Sequence, residues 1–67
     1  MKTKEKLLQG DLITLIGDEN EASIWFSKTT NRFCLELNAK CMLSLKTFKS
    51  FKEQANKILK RNGIIEL

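Results

Sequence analysis

Between residues 21 and 45 apolar and polar positions alternate, the period of strands whose two faces meet different surroundings. Beyond residue 47 the apolar positions recur every three or four residues, the period of a helix with one buried stripe. Leu12–Ile16 (LITLI) reads as a first strand, followed by the turn cluster Gly17-Asp18-Glu19-Asn20. Glu21 to Lys28 is a second strand, with Ala22, Ile24 and Phe26 on one face and Ser23, Trp25 and Ser27 on the other. After Thr29-Thr30-Asn31, a third strand from Arg32 to Asn38 points Phe33, Leu35 and Leu37 inward and Arg32, Cys34 and Glu36 outward. A turn at Asn38-Ala39-Lys40 leads to a fourth strand, Cys41 to Leu45, with Cys41, Leu43 and Leu45 inward and Met42 and Ser44 outward.

Neighbouring strands must share their apolar face, and this fixes the parity of the pairing. Phe26 then faces Phe33, Trp25 faces Cys34, Cys34 faces Ser44, Leu35 faces Leu43 and Leu37 faces Cys41. The two cysteines fall on opposite faces. Cys34 is outward, with only Arg32 as a basic neighbour to activate its thiol, whereas Cys41 is an inert core residue.

The helix is expected from Thr47 to Asn62. Thr47 is the first N-cap candidate, and Ser50 with Glu53 forms a competing capping box. Lys60 and Arg61 suit the negative end of the helix dipole. Asn62-Gly63 is a C-terminal stop, after which Ile64 can fold back onto Leu59. Phe48, Phe51, Ala55, Ile58 and Leu59 form the stripe that covers the inward sheet face. The expected architecture is α+β: a four-stranded antiparallel β-meander with one amphipathic C-terminal helix packed on one face (ββββα). Residues 1–67 make one domain. Residues 1–10 fit a frayed helical turn or a strand lead-in equally, and residues 64–67 a tail or a short strand.

Composition narrows the function classes. A chain of 67 residues buries little core and needs a staple. Two cysteines make no disulfide framework, and without histidine a zinc site has a poor ligand set. Oligomerisation or a partner is the staple left, and a homodimer is expected. No apolar run reaches the roughly 20 residues of a membrane span. Gly10 and Asp11 interrupt the apolar N-terminal stretch, so it reads as part of a cytoplasmic protein rather than as a signal peptide. The chain lacks a Gly-rich phosphate loop and any nucleophile with a recognisable base, which points away from an enzyme, a cofactor or a small-molecule substrate. The cluster Asp18-Glu19-Asn20-Glu21 lacks the ligand spacing of a calcium loop and reads as a solvated turn, so no metal is expected.

Net charge is +4. Residues 1–33 are balanced, so the entire excess lies beyond residue 33, mostly on the helix. Lys46, Lys49, Lys57, Lys60 and Arg61 fall away from the core stripe and could track phosphates, with Trp25 as a stacking residue for bases. Glu53 sits among the lysines, at i,i+4 from both Lys49 and Lys57, as on many ordinary solvated helices. The second candidate surface is the outward sheet face. There Leu12, Ile16, Trp25 and Met42 form an apolar patch suited to a protein interface. Two functions follow from different classes. The first is nucleic-acid binding through the lysine-rich helix and Trp25. The second is a protein–protein effector, an inhibitor or adaptor of phage or mobile-element type, docking the Trp25 face on a larger host protein. Lys, Ile and Asn supply 21 of the 67 residues, a bias that suits such an AT-rich origin.

The stretch MLSLKTFKSFKEQANKIL resembles the strand-to-helix junction of the single-strand-binding transcriptional coactivators (positive cofactor four and its phage and bacterial relatives). That resemblance implies a β-meander, a C-terminal helix and dimerisation. It covers about eighteen residues. The segment between the last strand and the helix's first aromatic is shorter here, and the long basic loop before the last strand is missing. The likeness is therefore one of fold.

Overall fold

The computed structural model describes residues 3–64. The chain runs α1 (Thr3–Leu8), β1 (Ile13–Ile16), β2 (Glu21–Ser27), β3 (Arg32–Leu37), β4 (Lys40–Leu45) and α2 (Phe48–Arg61). The four strands form one antiparallel sheet in the order β1-β2-β3-β4, the expected meander, and α2 packs over β3 and β4. Ala22, Ile24, Phe33 and Leu35 from the sheet are buried with Phe51, Ala55 and Leu59 from α2. The expected inward layer and helical stripe are thus the core. Its centre is Phe33, whose ring lies 4.8 Å from Phe26, 5.4 Å from Phe48 and 5.8 Å from Phe51.

The N-terminal segment, which the sequence left between helix and strand lead-in, is helical. Six residues are too few to hold a helix alone. Leu7 anchors α1 by complete burial in the same core, so α1 shares the inner face of the sheet with α2 and lies over β2. Both helices end in the same way. In α2 the Ile64 amide donates to the Leu59 carbonyl (2.9 Å) and the Gly63 amide to Lys60 (3.2 Å), with Gly63 at φ +72°. In α1 the Asp11 amide donates to Lys6 and the Gly10 amide to Leu7, both 3.0 Å, with Gly10 at φ +101°. These are two Schellman motifs, each placing glycine at the left-handed position. Ile64 folds back as expected and is 5% exposed within the core. The expectation for the remainder of the 64–67 segment lies outside the described residues. Of the two N-cap candidates Thr47 is used, with extended backbone and no side-chain cap bond.

The register matches expectation from Trp25–Cys34 and Phe26–Phe33 through Leu35–Leu43 and Cys34–Ser44, and departs from it at the last hairpin. Leu37 pairs with Lys40, not Cys41, because Asn38 (φ +51°) and Ala39 (φ +68°) close a two-residue turn. A two-residue turn with positive φ at both central residues matches the right-handed twist of the flanking strands. The odd residue is absorbed by a bulge: Cys41 pairs with Glu36, Leu43 with Leu35, and Met42 is the extra residue between. Cys41 therefore leaves the core side and is exposed. Cys34 lies on the outer face of central β3, between Trp25 and Ser44, and is only 8% exposed. Cys34 keeps its expected outward face but is buried there, whereas Cys41, expected in the core, joins it on the outer face; each is a free thiol.

Three asparagines tie the loops at one end. Asn20 Nδ2 donates to the Asn62 carbonyl (3.0 Å) and Asn38 Nδ2 to Asn20 Oδ1 (2.9 Å). Asn62 Nδ2 donates to the Ile58 carbonyl (2.8 Å). A Cβ at Gly17 would stand 2.9 Å from the Gly63 carbonyl oxygen, so the β1–β2 turn sits directly on the end of α2.

Candidate functional site

The core arrangement leaves two kinds of surface. One is the outer sheet face, which carries neither helix among the described residues. The other is the helical side, where the lysines are.

On the outer face the paired rows run Thr14–Ser23–Glu36–Cys41 and Trp25–Cys34–Ser44. Continuing the β1–β2 register by one position sets Leu12 opposite Trp25. Leu12 is 63% exposed, Ile16 73% and Met42 45%, whereas Trp25 is half-buried. Leu12 and Trp25 are brought together. Ile16 stands four residues farther along the same edge, about 13 Å away. Met42 lies on the opposite edge strand, three strand spacings or roughly 14 Å from β1. The expected patch is a strip along β1 and Trp25 with Met42 as an outlier. The charged residues facing this side on the paired strands are Glu21, Arg32 and Glu36, with no excess of cations. Arg32 is occupied as well, since its Nη1 donates to the Ser44 carbonyl at 3.0 Å. Strand β1 is an edge, and it carries neither a charged residue nor a bulge. The other edge strand, β4, has both Lys40 and the bulge, two devices that discourage strand addition.

On the helical side Lys46, Lys49, Lys57, Lys60 and Arg61 are all exposed. Four of them lie on α2 turned away from its buried stripe of Phe51, Ala55 and Leu59, with exposed Glu53 among them. Because α2 covers the inner face and Trp25 lies on the outer one, the sheet and the helix separate them, a span of roughly 15–20 Å. The lysine row and Trp25 do not form one site.

Two clefts accompany these surfaces. A polar one of about 360 Å³ is lined by Asp18, Glu19, Asn20, Arg61, Asn62 and Gly63. The Asn20 side chain in it is engaged with Asn62 and Asn38. A larger groove of about 530 Å³ lies between α1, the β2–β3 hairpin and the start of α2. Periodicity does not reveal it, because its α1 wall lies in a segment that fits a helical turn and a strand lead-in equally. The LLQG sequence at residues 7–10, an apolar pair followed by a glycine stop, is the signal that could have placed that wall.

Among the described residues no three His, Cys, Asp or Glu side chains gather into a set able to hold a metal ion. No helix among them is long and apolar enough to cross a membrane. Comparison of the chain with protein-family models, with curated proteins and with solved structures gives no match.

Proposed function

We propose that the chain is a small non-enzymatic docking module that binds another protein through its outer sheet face, with Leu12, Ile16 and Trp25 as the contact strip. The observation that carries this reading is the pairing of highly exposed apolar side chains with a face that has no cation excess. Apolar area left in water at 63% and 73% exposure gains by burial at about 25 cal/mol per Å². A phosphate backbone would find no lysine there. The uncharged edge of β1 adds a second mode of attachment, since a partner strand can extend the sheet while side chains cover Leu12 and Ile16. The partner is a second copy of the chain or a larger protein that the chain inhibits or adapts. Nucleic-acid binding is the weaker reading because its two expected components lie on opposite sides of the molecule.

The test compares three proteins: wild type, Ile16→Lys and Lys57→Glu/Lys60→Glu, whose two lysines are exposed on α2. Residue 16 is so exposed that a lysine there leaves the fold intact. Light scattering over a range of concentrations reads self-association, and affinity capture from the source cell reads a foreign partner. In both, wild type and the charge-reversed variant should behave alike while Ile16→Lys loses the complex. Saturable binding of mixed oligonucleotides, abolished by the lysine reversals and indifferent to Ile16→Lys, would instead establish the nucleic-acid reading.

A further inference from the structure

The groove between the two helices has a composition unlike the rest of the surface. Its apolar lining comes from Leu8 on α1, Phe26 and Phe33 on the sheet and Phe48 on α2. Its cations come from three separate places in the chain: Lys4 on α1, Lys46 in the β4–α2 link and Lys49 in the first turn of α2. No carboxylate lines it among the described residues. The neighbouring acids Glu5 and Glu53 lie outside it. The first turn of α2 contains no acidic residue and Thr47 makes no side-chain cap bond, so the helix end adds to the positive field rather than cancelling it.

An occupant must satisfy both halves. The apolar lining excludes a plain phosphate or sulfate, and three ammonium groups exclude a neutral apolar ligand. At about 530 Å³ the size suits one or two side chains or a small molecule. However, the groove is open to solvent rather than enclosed. A small molecule there would keep much of its own surface in water, whereas bound small ligands normally bury most of theirs. A peptide brings its own backbone and flanking residues to close such a groove. The aromatic rings meet one another tilted or edge to face, Phe26 on Phe33 at 54° and Phe48 on Phe33 at 65°, so they offer no single flat surface. That leaves little platform for a stacked base and favours an aliphatic or aromatic side chain lodging between them.

We infer that this groove is a second binding site, separate from the outer sheet face, and that it takes an acidic peptide segment: an apolar anchor residue flanked by Asp or Glu. The anchor sits against Leu8, Phe26 and Phe48. The flanking carboxylates meet Lys4, Lys46 and Lys49 in charge-assisted hydrogen bonds. The site lies on the opposite side of the sheet from Leu12 and Trp25, so it stands or falls independently of the docking reading above.

The probe is a fluorescein-labelled pool of twelve-residue peptides in which Leu or Phe anchors alternate with Asp and Glu. The controls are the same pool with lysine in place of the acids, a dodecathymidylate and sodium laurate. Fluorescence anisotropy reads affinity, and amide chemical shifts read location. The acidic pool should bind saturably below about 1 mM, with shifts confined to Lys4, Leu8, Phe26, Asn31, Phe33 and residues 46–49. Lys46→Glu/Lys49→Glu should weaken it at least about tenfold. Leu8→Asp, at a position 44% exposed and so tolerant of change, should do the same. Ile16→Lys should leave it unaltered. Circular dichroism confirms that each variant is folded. The inference is overturned if the acidic pool fails to saturate, if the lysine pool, the dodecathymidylate or laurate binds as well, or if the shifts fall on the outer face.

Discussion

At the scale of single residues the β3–β4 turn was where sequence reading and structure parted. Asn38-Ala39 was legible as a turn, but its length was not. Alternation fixes which face a residue takes only when the loop length is known, and one residue of error moves a strand to the other face. Alanine is an uncommon occupant of a left-handed position, so nothing in the sequence announced a two-residue closure with Ala39 at φ +68°. That conformation costs an L-residue about 1–2 kcal/mol that glycine escapes, partly offset by glycine's greater freedom in the unfolded chain. Ala39→Gly is therefore expected to stabilise the fold by about 0.5–1 kcal/mol, measured as a higher urea midpoint with unchanged slope. A midpoint that stays put or falls would mean that the turn does not hold Ala39 left-handed in solution. The same bulge and turn explain Cys41, whose exposure follows from its pairing with Glu36 and not from any property of the thiol.

At the scale of elements, the strands and α2 were readable because their periods of two and 3.6 are long and agree with each other: the inward sheet residues and the helical stripe are complementary. The first helix was hidden because six residues give no period to read. Its identity depends on tertiary burial, of Leu7 in the core and Thr3 beside it, and on a glycine stop that has other meanings. How strongly α2 depends on the sheet can be measured at Phe51, which is fully buried and packs its ring 5.8 Å from Phe33. Phe51→Ala is expected to cost about 3–5 kcal/mol through lost transfer energy and the cavity left behind. For a domain this small that is most or all of its stability. The expected readout is loss of the cooperative thermal transition in circular dichroism. A folded variant with only a small shift would mean that something outside the isolated chain, such as a second copy, supplies part of the core.

At the scale of the whole molecule, the sequence named most of the surface residues that matter and could not say how they sit together. Leu12, Ile16 and Met42 are exposed as expected, but Met42 lies across the sheet from the others. The lysines are exposed too, yet the sheet stands between them and Trp25. Distance through a fold is invisible to periodicity, which reports the face of an element and not which elements share a side. The resulting separation gives the two surfaces opposite responses to salt. The outer face has Glu21 and Glu36 against an Arg32 already bonded to Ser44, so docking there depends on apolar burial. Added salt does not screen apolar burial, and strongly hydrated salts such as sulfate strengthen it. The groove depends on three lysines held near an apolar lining, and at 0.15 M ionic strength charges are already screened beyond about 8 Å. Raising sodium sulfate should accordingly preserve or tighten any complex made through Leu12 and Ile16. The same change should weaken acidic-peptide binding to the groove. Measuring both in one sample, mass by light scattering and peptide anisotropy, tests the division directly. If the two respond in the same direction, then one surface is serving both purposes, and the separation of the lysines from the sheet face does not govern what this chain binds.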